Sequence, residues 1–271
     1  MLSENDAVFT KDNLDDYLKD LAKEFRKMNG TAMPAEIILV GGAAVIANYG
    51  FRSMTADIDA IIQAASSIKD AINHVGDKFN LPNGWINADF MCTESYSPRL
   101  SEISTHYKMF SHVLEVRTVS AEYLIAMKLR SSRTYKNDLS DIIGILAEHE
   151  RNGCPISYDS IDRAVQILYG DWSKFPIGSN LFIKNTIKNA NYADEFLAIS
   201  REEAKSKNLL LQFDKNYPRV AKESNVEDIL QNLRAKQQSS EPESIAERIK
   251  RIKSSGREKG SPQSREKDME R

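Results

Sequence analysis

Residues 37–63, IILVGGAAVIANYGFRSMTADIDAIIQ, decide the fold that we expect for this chain. The apolar run at 37–40 has the length and the β-branched character of a buried strand. Gly41 and Gly42 follow it, and residues 43–49 then have the composition of a short helix. The stretch therefore predicts a strand, a glycine turn and a helix in direct succession.

A second apolar strand follows, and it carries two carboxylates at alternate positions. Side chains alternate along a strand, so we expect Asp57 and Asp59 on the same side of it. Two carboxylates held at this spacing are suitable ligands for a hard cation such as Mg²⁺. The N–H groups at a helix start that follows Gly41 and Gly42 favour an anion such as a phosphate. Together, a cation site and a phosphate site in one short unit indicate nucleotide chemistry.

This arrangement resembles the polymerase-β-like nucleotidyltransferase superfamily. The superfamily pattern is Gly-Gly or Gly-Ser, a spacer, and two Asp residues separated by one apolar residue; here it reads Gly41-Gly42 and Asp57-Ile58-Asp59. The spacer of 14 residues, 43–56, is slightly long for the superfamily. The segments GGAAV and YGFRSMTADIDAI are similar in sequence to segments of uncharacterised nucleotidyltransferase-like proteins, which are akin to the toxins of bacterial type IV abortive-infection systems. The resemblance covers residues 36–150.

The resemblance implies an α/β nucleotidyltransferase fold, with a small mixed sheet flanked by helices and a helical C-terminal region. It implies transfer of a nucleotidyl group from an NTP to an acceptor, with Mg²⁺ or Mn²⁺ as the cofactor. The implied acceptor is a tRNA or a protein side chain, and an antitoxin protein is an implied partner. Two alternatives stay open: a small-molecule acceptor such as an aminoglycoside, and a catalytically silent module that docks a partner protein.

A third carboxylate commonly completes the metal site of Asp57 and Asp59 in this superfamily. Glu115 is the favoured candidate, because it lies in the middle of a predicted strand on a face shared with Arg117. Asp89 is the second candidate. Ordinary surface pairing with the arginine is the alternative interpretation of Glu115.

Five residues are candidate nucleotide contacts around the first strand and the carboxylates: Gly41, Gly42, Arg52, Ser53 and Thr55. The glycines approach a phosphate through their backbone, or they only permit a tight turn. The other three precede the carboxylates and reach phosphate or ribose. Helix capping or simple solvent exposure is the alternative for Ser53 and Thr55.

A second signal lies at residues 121–141. In the toxin-like relatives, a helix that bears a lysine and a following helix that opens with Asp residues face the nucleotide. This resemblance implies that Lys128 is a triphosphate ligand and that Asp138 or Asp141 orients it or the acceptor. A lysine that extends along the edge of the core is the alternative for Lys128. The nearby basic residues form a candidate patch for an RNA or nucleotide phosphate backbone: Lys128, Arg130, Arg133 and Lys136.

Periodicity elsewhere predicts mainly helices. The predicted helices cover residues 13–28, 64–79, 121–130, 138–148, 157–169, 180–206 with an interruption, and 226–235, and a third strand covers 110–119. We therefore expect a nucleotidyltransferase-like core with an N-terminal helix at 1–150, a helical subdomain at 151–235, and a disordered charged tail at 236–271.

The composition is that of an ordinary globular protein. Of 271 residues, 41% are hydrophobic and 28% are charged, and the net charge of −2 means that any nucleic-acid surface is local. The two cysteines, Cys92 and Cys154, are expected to be reduced thiols. No signal peptide and no apolar run of membrane-spanning length is visible, so we expect a cytoplasmic protein without membrane contact.

Overall fold

A computed structural model describes residues 8–222 and 224–240 of the chain. Within these ranges the protein has an α/β fold, with helices flanking a five-stranded mixed sheet of order β3-β2-β1-β5-β4. The strands are β1 (Ala35–Leu39), β2 (Ile58–Gln63), β3 (Ile86–Asn87), β4 (Thr105–Phe110) and β5 (Leu114–Thr118). The predicted fold class, a small mixed sheet with a helical C-terminal region, is confirmed.

The strand predicted from residues 37–40 is the middle strand of this sheet. It pairs antiparallel with β2 on one side and parallel with β5 on the other. Beyond these neighbours, β3 runs parallel to β2, and β4 runs antiparallel to β5. Ile37, Ile38, Leu39 and Val40 are all inaccessible to solvent, which explains the unbroken apolar run.

The helices surround this sheet and then continue beyond it. They are α1 (Lys11–Asn29), α2 (Gly41–Asn48), α3 (Ile68–Phe79), α4 (Leu100–Ile103), α5 (Ala121–Ser131), α6 (Asp138–Arg151), α7 (Tyr158–Tyr169), α8 (Ser179–Asn189), α9 (Tyr192–Asn216) and α10 (Val226–Ser240). Short 3₁₀ turns cover Asp89–Cys92 and Trp172–Lys174. Helix α1 packs against α3, α5 packs against α6 and α7, and α6 packs against α9.

The third strand predicted at 110–119 is wrong in its first residues. Phe110 ends β4, and a tight turn through Ser111 and His112 leads into β5 at Leu114. Both turn residues have positive φ, +50° and +56°, as in the two-residue turns that match the twist of a hairpin. The turn lacks the Asn-Gly or Asp-Gly pair that would have marked it. β4 itself was not predicted, because this largely exposed edge strand has little apolar alternation.

The chain divides into two compact units, one that ends at Asn216 and one that begins at Tyr217. The domain border predicted between residues 150 and 151 falls inside the last turn of α6, and α6 and α7 both belong to the first unit. The helix predicted at 180–206 is interrupted at Ala190, which has a φ of +51° between α8 and α9.

The second unit contains α10, which extends to Ser240. The disordered tail predicted from residue 236 therefore begins inside a helix. Residues 241–271, with the rest of that predicted tail, lie outside the described ranges. Over the ranges that are described, no helix is both long and apolar enough to cross a membrane.

Candidate functional site

Asp57 and Asp59 lie where β2 begins, beside the end of β1. Ile58 is the first residue of β2, so Asp57 precedes the strand and Asp59 lies within it. The backbone N–H of Val40 donates to the carbonyl oxygen of Asp59 at 3.0 Å, which places Asp59 next to the turn into α2. Asp57 is exposed and Asp59 is half-buried.

The electrostatics of Asp59 are unusual for a carboxylate at a strand end. Burial, together with the negative charge of Asp57, raises the pKa of Asp59 to about 6. The positive charges of Lys136 and Arg133 oppose this rise, and the charge of Asp89 adds to it. Within residues 8–222 and 224–240, neither Asp57 nor Asp59 has a side-chain hydrogen bond or an ion pair. The pair therefore carries negative charge that no direct contact compensates.

Gly41 and Gly42 begin α2 and bring its backbone close to polar side chains. Gly41 has a φ of +56°, which glycine adopts at little cost. A Cβ atom on Gly41 would lie 3.3 Å from Oδ2 of Asp59, and one on Gly42 would lie 2.5 Å from Oγ1 of Thr55. The first N–H groups of a helix have no intrahelical acceptor, and in α2 the N-cap residue Val40 supplies no side-chain acceptor for them. The uncapped start of α2 thus adjoins the Asp59 carboxylate.

The side chain of Arg52 lies over Gly42 and connects it to α6. A Cβ atom on Gly42 would lie 2.9 Å from Nη2 of Arg52. The same Nη2 donates to Oγ1 of Thr55 at 3.4 Å, and Nη1 forms an ion pair with Asp141. Of the three residues predicted as contacts in this segment, Arg52 and buried Thr55 adjoin the glycine turn, whereas Ser53 is exposed.

Lys128, Asp138 and Asp141, which the sequence nominated together, are joined in a buried charge network. Nζ of Lys128 lies 2.7 Å from Oδ2 of Asp141 and 3.4 Å from Oδ1 of Asp138. Nε of Arg133 donates to Oδ2 of Asp138 at 2.8 Å. With the ion pair from Arg52 to Asp141, five residues are connected. We call Arg52, Lys128, Arg133, Asp138 and Asp141 the charge network.

The lysine and the two carboxylates of the charge network are buried. Lys128 is 5% exposed, and Asp138 and Asp141 are each 2% exposed. Burial alone would raise the pKa of Asp138, but Lys128 and Arg133 outweigh it and hold that pKa well below its usual range. The predicted contact between Lys128 and the Asp residues is therefore present. Its ammonium group, however, is engaged inside the protein rather than presented to a triphosphate at the surface.

The structure does not bring Glu115 to the carboxylate pair. Glu36 on β1 lies opposite both Gln63 on β2 and Glu115 on β5. Glu115 is therefore two strands away from β2 and level with Gln63, four positions beyond Asp59. At about 4.8 Å between strands and about 3.3 Å per residue, this separation is about 16 Å. Glu115 instead lies 3.4 Å from Nδ1 of His106 on the neighbouring strand.

The structure therefore separates Glu115 from Asp57 and Asp59, and only these two remain as predicted metal ligands. Among the residues that the structure describes, no three His, Cys, Asp or Glu side chains are grouped to hold a metal ion. Asp89, the second candidate, follows β3, the strand that pairs with β2, and its charge acts on Asp59. It is exposed and adds to the negative potential around the pair.

The basic patch predicted around Lys128 divides into different environments. Nη2 of Arg130 pairs with Glu94 at 2.7 Å, and Arg133 belongs to the charge network. Lys136 is exposed in the connection between α5 and α6, and its charge acts on Asp59. Lys136 is therefore the member of the patch that combines exposure with an influence on the carboxylate pair.

Glu203 on α9 is a member of this region that sequence reasoning missed. Its Oε1 accepts hydrogen bonds from the backbone N–H groups of Leu139 and Ser140, at 2.9 and 3.3 Å. These are the second and third residues of α6, next to Asp138 and Asp141. The contact spans more than sixty positions of sequence, and no local pattern around Glu203 signals it.

Comparison with known protein families matches a segment that covers the sheet and the charge network. Residues 16–148 match the family model described as a nucleotidyltransferase of unknown function (DUF6036). No curated protein matches the chain. No solved structure matches it. The match supports a nucleotidyltransferase family for this part of the chain, and it carries no information on toxin-like relatives.

Proposed function

We propose that this chain, whose residues 16–148 match a nucleotidyltransferase family, transfers a nucleotidyl group from an NTP to an acceptor in a metal-dependent reaction. The observation that carries the proposal is the pair Asp57 and Asp59 beside the uncapped start of α2. The pair suits a cation and the helix start suits a phosphate, and the two are adjacent, because a Cβ atom on Gly41 would lie 3.3 Å from Oδ2 of Asp59.

The two carboxylates suit Mg²⁺ or Mn²⁺. Mg²⁺ is usually bound in such sites by one or two carboxylates, with water and substrate phosphate oxygens as the other ligands. Two protein ligands are therefore sufficient, and a cation would compensate the charge that raises the pKa of Asp59. When bound, the metal supplies charge neutralisation on the triphosphate and activation of the acceptor hydroxyl.

The protein residues around this pair bind and orient the substrate. The first N–H groups of α2 are suited to phosphate oxygens, and Arg52 adds positive charge over Gly42. Lys136 is the exposed cation that we assign to the triphosphate, in place of Lys128. Lys128 acts through Asp141, which its ammonium holds against Arg52.

We further propose a nucleic-acid acceptor, the end of a tRNA, over a protein side chain or an aminoglycoside. Besides Lys136, the positive charge of Arg133 acts on Asp59, so positive charge beyond the cation assigned to the triphosphate lies near the carboxylates for a phosphate backbone. Incubation with labelled NTP and Mg²⁺ in separate reactions with tRNA, protein and aminoglycosides tests this choice. Label in another acceptor, with none in tRNA, refutes the acceptor and leaves the transfer reaction supported.

The metal and nucleotide site has its own test, which does not depend on the acceptor. A non-hydrolysable NTP with Mg²⁺ should raise the melting temperature of the native protein, because a ligand bound only by the folded state stabilises it. Asp57→Asn with Asp59→Asn should abolish that shift. Asp77→Asn, at an exposed position of α3, is the matched control and should keep it. An equal shift in the double variant and the control would refute the assignment.

A further inference from the structure

Glu203 is a buried titratable group that the proposed reaction does not use. It lies on α9, outside the segment that matches the nucleotidyltransferase family, and it is only 5% exposed. Its Oε1 accepts from the N–H groups of Leu139 and Ser140, so it acts as a cap for α6 supplied by another helix. A carboxylate at a helix N-terminus is also favoured by the helix dipole.

The second oxygen of Glu203 makes the group unusual. Oε2 is buried and has no hydrogen-bond partner among the described residues. Burial, with the negative charge of Asp141 as a smaller contribution, raises the pKa of Glu203 to about 7. A glutamine would accept the same two backbone hydrogen bonds without bringing a second negative charge near Asp141. The carboxyl group therefore adds a proton-binding site that capping alone does not require.

The first turn of α6, which Glu203 caps, belongs to the charge network, whose members come from several elements. Helix α6 contributes Asp138 and Asp141, α5 contributes Lys128, and the segments that follow α2 and α5 contribute Arg52 and Arg133. On α9 itself, Glu202 pairs with Lys205 at the surface. The charge network holds three cations and two carboxylates, and the negative charge of one of them, Asp141, acts on Glu203. Counted together with the network, an ionised Glu203 brings the summed charge to zero, and a protonated Glu203 leaves one positive charge.

We propose that Glu203 is a positioning residue of the nucleotide site, which holds the first turn of α6 and, by gaining a proton, leaves positive charge in the network when a nucleotide binds. The inference rests on the proposed function. An anionic triphosphate beside Arg52 favours the protonated form of Glu203, and by linkage the protonated form favours the triphosphate. Nucleotide affinity then falls as the pH rises through neutrality.

The test measures binding of a non-hydrolysable ATP analogue with Mg²⁺ to the full chain at about pH 6 and about pH 8. If the nucleotide binds only when Glu203 is protonated, the affinity of the wild type should fall about tenfold from pH 6 to pH 8, compared with the change in Glu203→Gln over the same interval. The glutamine stays neutral at both pH values. The ligand and Asp59 titrate in both proteins, so the difference between the two pH profiles isolates Glu203. Glu202→Gln, at the exposed neighbouring position, should behave like the wild type.

A second variant tests the positioning role by itself. Glu203→Met is neutral but lacks the acceptor oxygen, so it should bind more weakly than Glu203→Gln at both pH values. Parallel pH profiles in the wild type and Glu203→Gln would overturn the proton linkage, and equal affinity in the two neutral variants would overturn the positioning role. Absence of nucleotide binding by the wild type refutes the proposed function itself, and is distinguished from both of these results.

Discussion

Replacing Lys128 with Met should destabilise the protein, although the substitution preserves the apolar stem and the helix propensity. Lys128 is 5% exposed, and its ammonium lies 2.7 Å from Asp141 and 3.4 Å from Asp138. Removal of one partner from a buried ion pair costs about 3–5 kcal/mol, because the remaining charge is left buried without compensation. Asp138 keeps Arg133 and Asp141 keeps Arg52, so we expect the lower end of this range.

The assay is urea or thermal unfolding of Lys128→Met beside Lys69→Met, which alters an exposed lysine of α3. A loss of about 3 kcal/mol corresponds to about 6–12 °C in melting temperature for a unit of this size. Adding Asp141→Asn to Lys128→Met should recover part of the loss, because the two side chains are coupled. An unchanged melting temperature in Lys128→Met would show that the ammonium does not stabilise the two carboxylates.

Three further substitutions test the carboxylate pair, the glycine turn and the corrected third ligand. The pKa of Asp59 is raised to about 6, so the folded state loses stability as the pH rises through that value. In melting curves without metal, Asp59→Asn should therefore be about 1–3 kcal/mol more stable than the wild type near pH 8 and equal to it near pH 4. Gly42→Ala should lose about 1–3 kcal/mol in the same assay, because its Cβ would lie 2.5 Å from Oγ1 of Thr55. Glu115→Gln should change stability by less than about 0.5 kcal/mol and keep the nucleotide-dependent shift; loss of that shift would restore Glu115 to the site.

The first half of the fold could be predicted because its signals are local. Residues 37–40 are apolar without interruption, and the strand they form is buried in the middle of the sheet. Gly41 has a conformation that glycine tolerates. The apolar residues after Asp57 predict the strand that carries Asp59, and that strand is present. Each of these features depends on neighbours within a few residues, so the sequence contains the information directly.

The environment of Lys128 could not be predicted in the same way. Its sequence neighbours Met127 and Leu129 indicated a helix at the edge of the core, and the helix is present. Whether the ammonium faces solvent or a buried partner depends on how α5 packs against α6, which is tertiary information. The prediction that Glu115 lies beside Asp57 and Asp59 was wrong for a related reason. A strand pattern gives the face of the sheet on which a side chain lies, but the distance of Glu115 from Asp59 depends on the register between the strands.

The site depends on chain segments on both sides of the predicted border at residue 150. The carboxylate pair and the glycine turn belong to the segment that matches the family, but the first turn of α6 is held by Glu203 from α9. Without α9, the N–H groups of Leu139 and Ser140 would lose their acceptor, and the face of α6 that packs on α9 would be exposed. The same turn holds Asp141 against Arg52 and Lys128, and Arg52 lies over Gly42. We therefore expect a change in the packing of α9 to alter the position of Arg52. Helix α9 is therefore part of the structure that orders the first turn of α6, and the segment that matches the family does not contain it.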